Sequence, residues 1–275
     1  MKSWLKDLFH VEKPVIALLH IREMPGDFYF DDSTMSMREV IDTARRDLIA
    51  LQDGGVDGIL FSNEYSFPYQ MGVGKTDYVT SQCMARVIGE LMRDIRVPYG
   101  VNVIEDGLAT VELARAVDAS FVRCNFTGCY VGELGLINTD IARVKRRKKE
   151  LGIAGLHMLY NVNPEFSVWV GDRDVRDVVK SMVFNCDPDG LCVSGQCAGF
   201  EASSDLIRAI KDLAPETPVF ANNGCRRENI AEKLSVADSA CVGTAFKYDG
   251  VFRNTVDVNR VRDFMEVVRE YRKTL

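Results

Sequence analysis

The sequence "FANNGCRRENI" (residues 220–230) ends an apolar run in two asparagines and a glycine, and a charged, helix-prone segment follows at once. A second apolar run, "ADSACVGTAFK" (237–247), comes shortly after and ends in Gly243-Thr244. Two parallel strands need a crossover between them, and a helix most often supplies it. This stretch therefore predicts a strand–helix–strand unit in a parallel sheet.

The rest of the chain repeats this pattern. Apolar, β-prone runs also occupy residues 14–20, 56–63, 99–105, 120–126, 153–159 and 189–195. Segments with helical periodicity lie at 36–55, 80–95, 108–117, 138–152, 176–184, 203–215 and 256–273. Continuous hydrophobicity is typical of strands that are covered on both faces.

Eight strands that alternate with helices over roughly 250 residues predict an α/β fold, a TIM (β/α)8 barrel. An open doubly wound sheet is the alternative, although it more often has five or six strands. No linker-like segment interrupts the pattern, so we expect one domain over residues 1–275. Apolar residues within the first ten positions predict a short amphipathic helix before the first strand.

The composition argues against two classes of partner, nucleic acids and membranes. A net charge of −6 argues against a nucleic-acid partner, and the basic run "RVKRRKKE" (143–150) fits the solvated outer face of a helix. No apolar run reaches transmembrane length, and the N-terminus lacks the uninterrupted apolar segment of a signal peptide. We therefore expect a cytoplasmic protein without a membrane partner.

Eight cysteines and three histidines bear on disulfides and metals. The cysteines contain no C-x-x-C pair, and several lie inside apolar runs, so we interpret them as buried hydrophobic residues in a reducing compartment. So few histidines make a zinc site improbable, and no metal site is predicted.

In a TIM barrel, the active site forms where the strands end and the following loops begin. Polar side chains at predicted strand ends are therefore the candidates for catalysis: His20, Glu64, Asn102, Arg123, Asn125 and His157. Arg123 is the most informative of them, because burying a guanidinium without an anionic partner costs much free energy.

The opening stretch would lie at the ends of the seventh and eighth strands, where such barrels commonly bind phosphate. Glycines there let backbone N–H groups approach an oxyanion, and a short helix beginning near Arg226 would direct its positive end at the same point. The predicted phosphate-binding residues are Ser194, Gly195, Asn223, Gly224, Gly243 and Thr244. The alternative is that the glycines only end their strands tightly.

The segment "QMGVGKTD" (70–77) lacks the G-x-x-x-x-G-K-[ST] spacing of a nucleotide-binding loop. We predict that it forms a loop over the mouth of the barrel.

Several motifs resemble the BtpA/SgcQ family of barrel proteins. They are His20 followed by "MPG" (24–26), "GVNV" (100–103), "FVRCN" (121–125), "VSGQCAG" (193–199), "ENIAEKLSVADSACVGTAFKYDG" (228–250) and "VDVNRVRDFM" (256–265). The resemblance implies a barrel related to the phosphate-binding group that includes ribulose-phosphate epimerase. One branch of the family is named for photosystem I biogenesis and another for a carbohydrate-related gene cluster. The chain departs from the family pattern at Ser62, in the fifth strand and at Asn222-Asn223.

We therefore predict an isomerase, epimerase or lyase that acts on a phosphorylated sugar or a similar small metabolite. Glu64, His20 and His157 would move protons, and Arg123 with the asparagines would polarise a carbonyl or enediolate. Lys247 is the one candidate for a Schiff base that lies near a strand end.

Three alternatives stay open from the sequence. A metal-dependent version would use Glu64, Glu105, Asp106 and His157, although their spacing specifies no metal. A non-catalytic assembly or regulatory factor would keep the anion site for binding alone, and a flavin-phosphate barrel would use the same cradle. The sequence identifies no cofactor. A homo-oligomer formed through outer helices is also compatible with this type of barrel.

Overall fold

The computed structural model describes residues 4–195 and 201–275. Its parallel strands close into an eight-stranded barrel, which confirms the predicted fold. In their order around the barrel, the strands are β1 (Val15–His20), β2 (Gly58–Ser62), β3 (Tyr99–Asn102), β4 (Phe121–Cys124), β7 (His157–Asn161), β9 (Gly190–Val193), β10 (Val219–Ala221) and β11 (Ser239–Val242).

One helix precedes the first strand, and the others follow the strands and surround the barrel. They are α1 (Trp4–Phe9), α2 (Met37–Gly54), α3 (Tyr78–Leu91), α4 (Gly107–Ala116), α5 (Ile141–Glu150), α6 (Val175–Cys186), α7 (Ser204–Leu213), α8 (Ile230–Val236) and α9 (Val258–Arg272). Local sequence sets several of their starts: the side chains of Ser36, Asp140 and Ser203 accept N-terminal backbone N–H groups. Helix α2 ends at Gly55, whose φ of 92° is available mainly to glycine.

The short helix α1 covers the N-terminal end of the barrel, and the prediction of such a helix is confirmed. Trp4 stacks on His157 at 4.2 Å between ring centroids, and its indole Nε1 donates to the carbonyl of Asp189, which directly precedes β9. Phe9 packs against Phe121, the first residue of β4. Helix α1 therefore closes the N-terminal end of the barrel.

A small antiparallel sheet, which the sequence pattern did not predict, extends from the loops after β4 and β7. It consists of β5 (Cys129–Gly132), β6 (Gly135–Asn138) and β8 (Val168–Trp169). Tyr130 and Ile137 are fully buried on its inner side. Strands of two to four residues are too short for hydrophobic alternation to distinguish them from loops.

The fifth barrel strand begins later than predicted. Residues 153–156 form a turn after α5, and β7 runs from His157 to Asn161. Leu156 is buried and Ile153 packs against the same core without belonging to a strand. Their apolar character therefore mimics the start of a strand, and the true strand ends two residues beyond the predicted one.

Among the residues that the structure describes, Cys83, Cys124, Cys129, Cys186, Cys192, Cys225 and Cys241 form no disulfide. Cys197 lies outside the described residues. Within the same ranges, no helix combines the length and the apolar character needed to cross a bilayer.

Candidate active site

A cavity of about 60 Å³ lies at the C-terminal ends of the barrel strands. One water molecule needs only ~10–15 Å³ by the same measure, so the cavity has room for a group of several atoms. Four of the predicted catalytic residues, Glu64, Asn102, Arg123 and Asn125, line it together. The other residues of its lining are Tyr69, Ile104, Glu105, Cys124, Asn161, Pro164, Glu165, Phe166, Ser194 and Asn222.

Arg123 projects from β4 into this cavity and is buried. Its Nη1 donates to Asn222 Oδ1 at 2.8 Å, and its Nη2 lies 3.7 Å from Glu64 Oε1. Asn222 in turn donates through Nδ2 to Ser194 Oγ at 2.9 Å. The guanidinium is therefore held in place by an amide on one side and a carboxylate on the other, as its burial requires.

Glu64, from the loop after β2, is fixed by neutral donors as well as by Arg123. Ser62 Oγ donates to its Oε1 at 2.9 Å. The Tyr69 hydroxyl lies 2.9 Å from its backbone carbonyl and 3.4 Å from Oε2. A carboxylate held this way beside a guanidinium is oriented for proton transfer to or from a ligand in the cavity.

Glu105, in the loop after β3, has a different environment. Asn125 Nδ2 lies 2.9 and 2.8 Å from its two carboxylate oxygens. Burial raises the pKa of Glu105 to about 7, with a smaller contribution from the negative charges of Glu64 and Glu165. Near neutral pH, a large fraction of Glu105 therefore carries a proton, which is the state that a general acid requires.

The backbone of Glu105 is also unusual, since its φ is +62°. A non-glycine residue in this left-handed region costs free energy, and such residues concentrate at functional sites. The contact with Asn125 holds the residue there.

Four buried polar atoms of the cavity lining have no hydrogen-bond partner in the described ranges. They are Asn102 Oδ1, Arg123 Nε, Asn125 Oδ1 and Asn161 Oδ1. Asn125 Nδ2 faces the Glu105 carboxyl group, which leaves Oδ1 as the atom without a partner. Most buried polar groups in proteins are paired, so unpaired atoms on four residues that line one cavity are candidates for contact with a polar ligand.

The structure places His157, a predicted catalytic residue, away from the cavity. As the first residue of β7, it lies at the opposite end of the barrel from the cavity, stacked on Trp4. Its Nδ1 is 3.9 Å from Asp189 Oδ1. The reason is the shift of the fifth strand described above, which moves His157 from near the strand end to the strand start.

We expect His157→Ala to lower the free energy of unfolding by about 1 kcal/mol through the lost stacking on Trp4. Ligand binding at the cavity should be unchanged, because the residue lies at the other end of β7. Chemical unfolding and ligand titration of the same preparation measure both effects. Weakened binding in a normally folded variant would contradict the position assigned to His157.

His20 does reach the C-terminal end of β1, but it does not line the cavity. Its ring lies 5.3 Å from the ring of Phe252 and 6.2 Å from that of Tyr65, between centroids. Burial, and then the positive charges of Lys247 and Arg123, hold the pKa of His20 well below its ordinary value. The ring is therefore neutral at physiological pH.

Lys247 lies beside His20 and is buried. Its Nζ donates to Tyr65 Oη at 2.6 Å and to the Phe252 carbonyl at 2.8 Å. Burial lowers the pKa of Lys247 to about 8. Since the amine holds the loop after β11 and does not line the cavity, this geometry gives no support to a Schiff base.

The predicted phosphate-binding residues do not all line the cavity. Ser194 lines the cavity, whereas Gly195, Asn223, Gly224, Gly243 and Thr244 are not among its lining residues. Gly195 N donates to Asn223 Oδ1 at 2.7 Å. A Cβ at Gly243 would lie 2.9 Å from His20 Nε2, so this glycine makes room for the His20 ring.

The helix expected near Arg226 begins only at Ile230. The preceding residues form a turn in which Arg226 N donates to Asn229 Oδ1. A role for these loops in binding phosphate stays a prediction.

Glu165 and Tyr69 are cavity residues that the sequence did not reveal. They lie in loops, four residues after the end of β7 and seven after the end of β2, where no periodic pattern marks them. Asp106, a candidate ligand in the metal-dependent alternative, is fully buried. Its carboxylate accepts backbone N–H groups from the 70–77 loop and from the start of α4. Its role is to hold that loop and to cap α4.

The closed parallel barrel with a polar cavity at its strand ends defines a TIM-barrel protein. The chain belongs to the BtpA family, whose family profile matches residues 11–270.

Two relatives illustrate the breadth of the family. The sgc region protein SgcQ of Escherichia coli (strain K12) is 46% identical over 98% of this chain and 100% of its own length. The photosystem I biogenesis protein BtpA of Synechocystis is 26% identical over 95% of this chain and 90% of its own.

Solved structures share the fold at low sequence identity. The (S)-3-O-geranylgeranylglyceryl phosphate synthase of Thermoplasma acidophilum, in complex with sn-glycerol-1-phosphate, gives a TM-score of 0.61 at 13% identity and covers 98% of both chains. Phosphoribosyl anthranilate isomerase of Thermus thermophilus gives 0.56 at 9% identity, covering 94% of this chain and 98% of its own. At this level of identity, the likeness shows the fold alone.

Proposed function

We propose that this protein is an enzyme that moves a proton on a small phosphorylated metabolite, as an isomerase, epimerase or lyase does. The observation that carries the proposal is the set of unpaired buried polar atoms on residues of one cavity that is also lined by three carboxyl groups, those of Glu64, Glu105 and Glu165. Carboxyl groups held in different environments are a usual arrangement for an acid and a base.

The residues have distinct roles in this proposal. Glu64, ion-paired with Arg123, accepts a proton from the carbon next to a substrate carbonyl. Glu105, buried and bonded to Asn125, donates a proton to the carbonyl oxygen or to the adjacent carbon. Arg123 stabilises the negative charge that develops on the oxygen of the enediolate between these steps.

A phosphate group on the substrate would bind beside the cavity, at the ends of β10 and β11. Gly224 and Gly243 would supply backbone donors there and Thr244 a hydroxyl donor, since phosphate sites in barrels of this class use the loops after the seventh and eighth strands. A barrel of the same fold has been solved with sn-glycerol-1-phosphate bound. Binding energy from a group remote from the reacting carbon is available to promote the reaction.

The proposal is tested by thermal shift and calorimetric titration with paired compounds: sn-glycerol 1-phosphate against glycerol, D-ribose 5-phosphate against D-ribose, and inorganic phosphate. We expect at least one phosphorylated compound to raise the melting temperature by several degrees, since a ligand at about 100 times its Kd adds ~2.7 kcal/mol of stability. The matched variants are Thr244→Val, which removes a proposed phosphate donor, and Thr274→Val at the C-terminus as a control. If no phosphorylated compound binds, or if Thr244→Val binds them as tightly as the wild type, the phosphate assignment is wrong.

A further inference from the structure

A second cavity, of about 250 Å³, adjoins the first. Tyr69 and Ile104 line both cavities, so the two cavities adjoin at these residues. The loops after β1 and β2 form most of the second cavity. Its remaining lining residues are Gly26, Asp27, Phe28, Asn63, Ser66, Pro68, Gln70, Thr76, Asp77 and Thr80.

The chemistry of this lining differs from that of the first cavity. It contains two carboxylates, two amides and four hydroxyl groups, and no lysine, arginine or histidine is among the lining residues. A cleft lined by charge of one sign attracts the opposite sign and repels its own. The second cavity therefore disfavours a phosphate and favours a neutral group rich in hydroxyl donors.

The walls of the cavity are held by their own hydrogen bonds. Asp27 Oδ2 accepts from Met24 N at 2.7 Å and from Ser66 Oγ at 2.9 Å. Gln70 and Asp77 bond reciprocally, through Gln70 Nε2 to Asp77 Oδ2 at 2.8 Å and Asp77 N to Gln70 Oε1 at 2.7 Å. Preformed polar groups cost a ligand little reorganisation when it binds.

Within the described residues, several acceptor atoms in the lining of the second cavity receive no hydrogen bond from the protein. Each aspartate uses Oδ2 in the bonds above, and Oδ1 of Asp27 and of Asp77 accepts no hydrogen bond. The hydroxyl of Thr76 is buried without a partner. Two carboxylate oxygens and a hydroxyl on one cavity match the hydroxyl groups of a polyol or sugar.

An exposed aromatic ring completes the arrangement. Phe28 is 76% exposed. It lines the second cavity together with Tyr69. An exposed aromatic face next to fixed acceptors is suited to packing against the C–H face of a sugar ring.

We infer that the second cavity is a subsite for the neutral, polyhydroxylated part of the ligand, with Asp27 and Asp77 accepting its hydroxyl groups and Phe28 packing on its ring. The inference rests on the proposed function in one respect, because it requires one substrate to occupy both cavities. The ligand would then be a phosphorylated sugar or sugar derivative with a free sugar moiety, and specificity for that moiety would come from the loops after β1 and β2.

Calorimetric titration of the full chain with D-glucose, D-ribose and inorganic phosphate tests the subsite. We expect Asp77→Asn and Phe28→Ala to weaken binding of the neutral sugar that the wild type binds best by about tenfold, equivalent to ~1.4 kcal/mol. Their affinity for inorganic phosphate should equal that of the wild type. Asp205→Asn, an exposed aspartate on α7, is the matched control.

Phe28 and Asp77 are exposed, so both variants should fold, and circular dichroism checks this. The subsite is overturned if no neutral sugar binds saturably, or if both variants bind it as the wild type does. If the neutral sugar binds and the variants weaken it while no phosphorylated compound binds at all, the subsite stands and the proposed function fails. If phosphorylated compounds bind and the neutral sugars do not, the proposed function stands without the subsite.

Discussion

Replacing Glu105 by glutamine should raise the free energy of unfolding by about 3 kcal/mol at pH 8 and leave it almost unchanged at pH 4. The cause is the burial of this carboxyl, which raises its pKa from the ordinary 4.5 to about 7. Glutamine has nearly the same shape, keeps an oxygen for Asn125 Nδ2 and never ionises. The variant therefore removes the cost of burying a charge.

The pH dependence of this stability difference follows from whether the folded or the unfolded protein holds the proton on Glu105. Between pH 4.5 and pH 7, the folded protein keeps a proton on Glu105 that the unfolded chain has released. The contribution of Glu105 to the stability of the wild type therefore falls as the pH rises through this window and is constant above it. Below pH 4.5, both states are protonated and the glutamine has no advantage.

Urea unfolding of the wild type and Glu105→Gln at several pH values measures this difference directly. Glu112→Gln, in an exposed pair with Arg147, is the control, and we expect it to change the stability by less than about 1 kcal/mol. A Glu105→Gln variant that is less stable than the wild type at pH 8 would show that Glu105 is ionised there and is not the proton donor. Once a substrate is found, the same variant should lose ~10²–10⁴-fold in rate despite its greater stability.

Arg123→Met should have the opposite effect on stability, lowering the free energy of unfolding by about 3–5 kcal/mol. Methionine fills much of the arginine stem, but it leaves Asn222 Oδ1 without its donor and Glu64 without its cation. The same variant should bind any ligand of the cavity at least ~100-fold more weakly, because the group that stabilises its oxygen is lost.

The Arg123→Lys variant separates the contribution of the positive charge from that of the shape of the guanidinium group. Lysine keeps the positive charge but lacks the planar fork that reaches Asn222 and Glu64 together. We expect it to recover part of the stability and little of the binding, as measured by urea unfolding and calorimetry. Arg147→Lys, on the outer surface, is the control. Wild-type affinity in Arg123→Lys would show that the ligand does not use the guanidinium.

The barrel could be predicted from the sequence because each strand–helix unit carries its own local signal. Strands covered on both faces read as continuous apolar runs, and caps such as Ser36 and Ser203 mark the helix starts. In a parallel barrel, the C-terminal ends of all strands lie at the same face. Residues at these ends could therefore be assigned to one site: Glu64, Asn102, Arg123 and Asn125.

The structure differs from the sequence-based predictions where the local hydrophobic pattern is ambiguous or absent. Leu156 is apolar because it packs against the core in a turn, and this shifted the predicted fifth strand and misplaced His157. Glu165 and Tyr69 reach the cavity from within loops, whose path depends on tertiary contacts that the sequence pattern does not encode. The raised pKa of Glu105 likewise depends on burial, which only the structure shows.

The most direct test of the central claim is a crystal structure grown with the phosphorylated compound that gives the largest thermal shift among sn-glycerol 1-phosphate, D-ribose 5-phosphate and inorganic phosphate. We expect ligand density in the cavity at the C-terminal ends of the strands, with a polar ligand atom within hydrogen-bond distance of Arg123 and of Asn125 Oδ1. Density only elsewhere, for example on the basic outer face of α5 around Arg143, Arg146 and Arg147, with the cavity residues contacting no ligand, would contradict it.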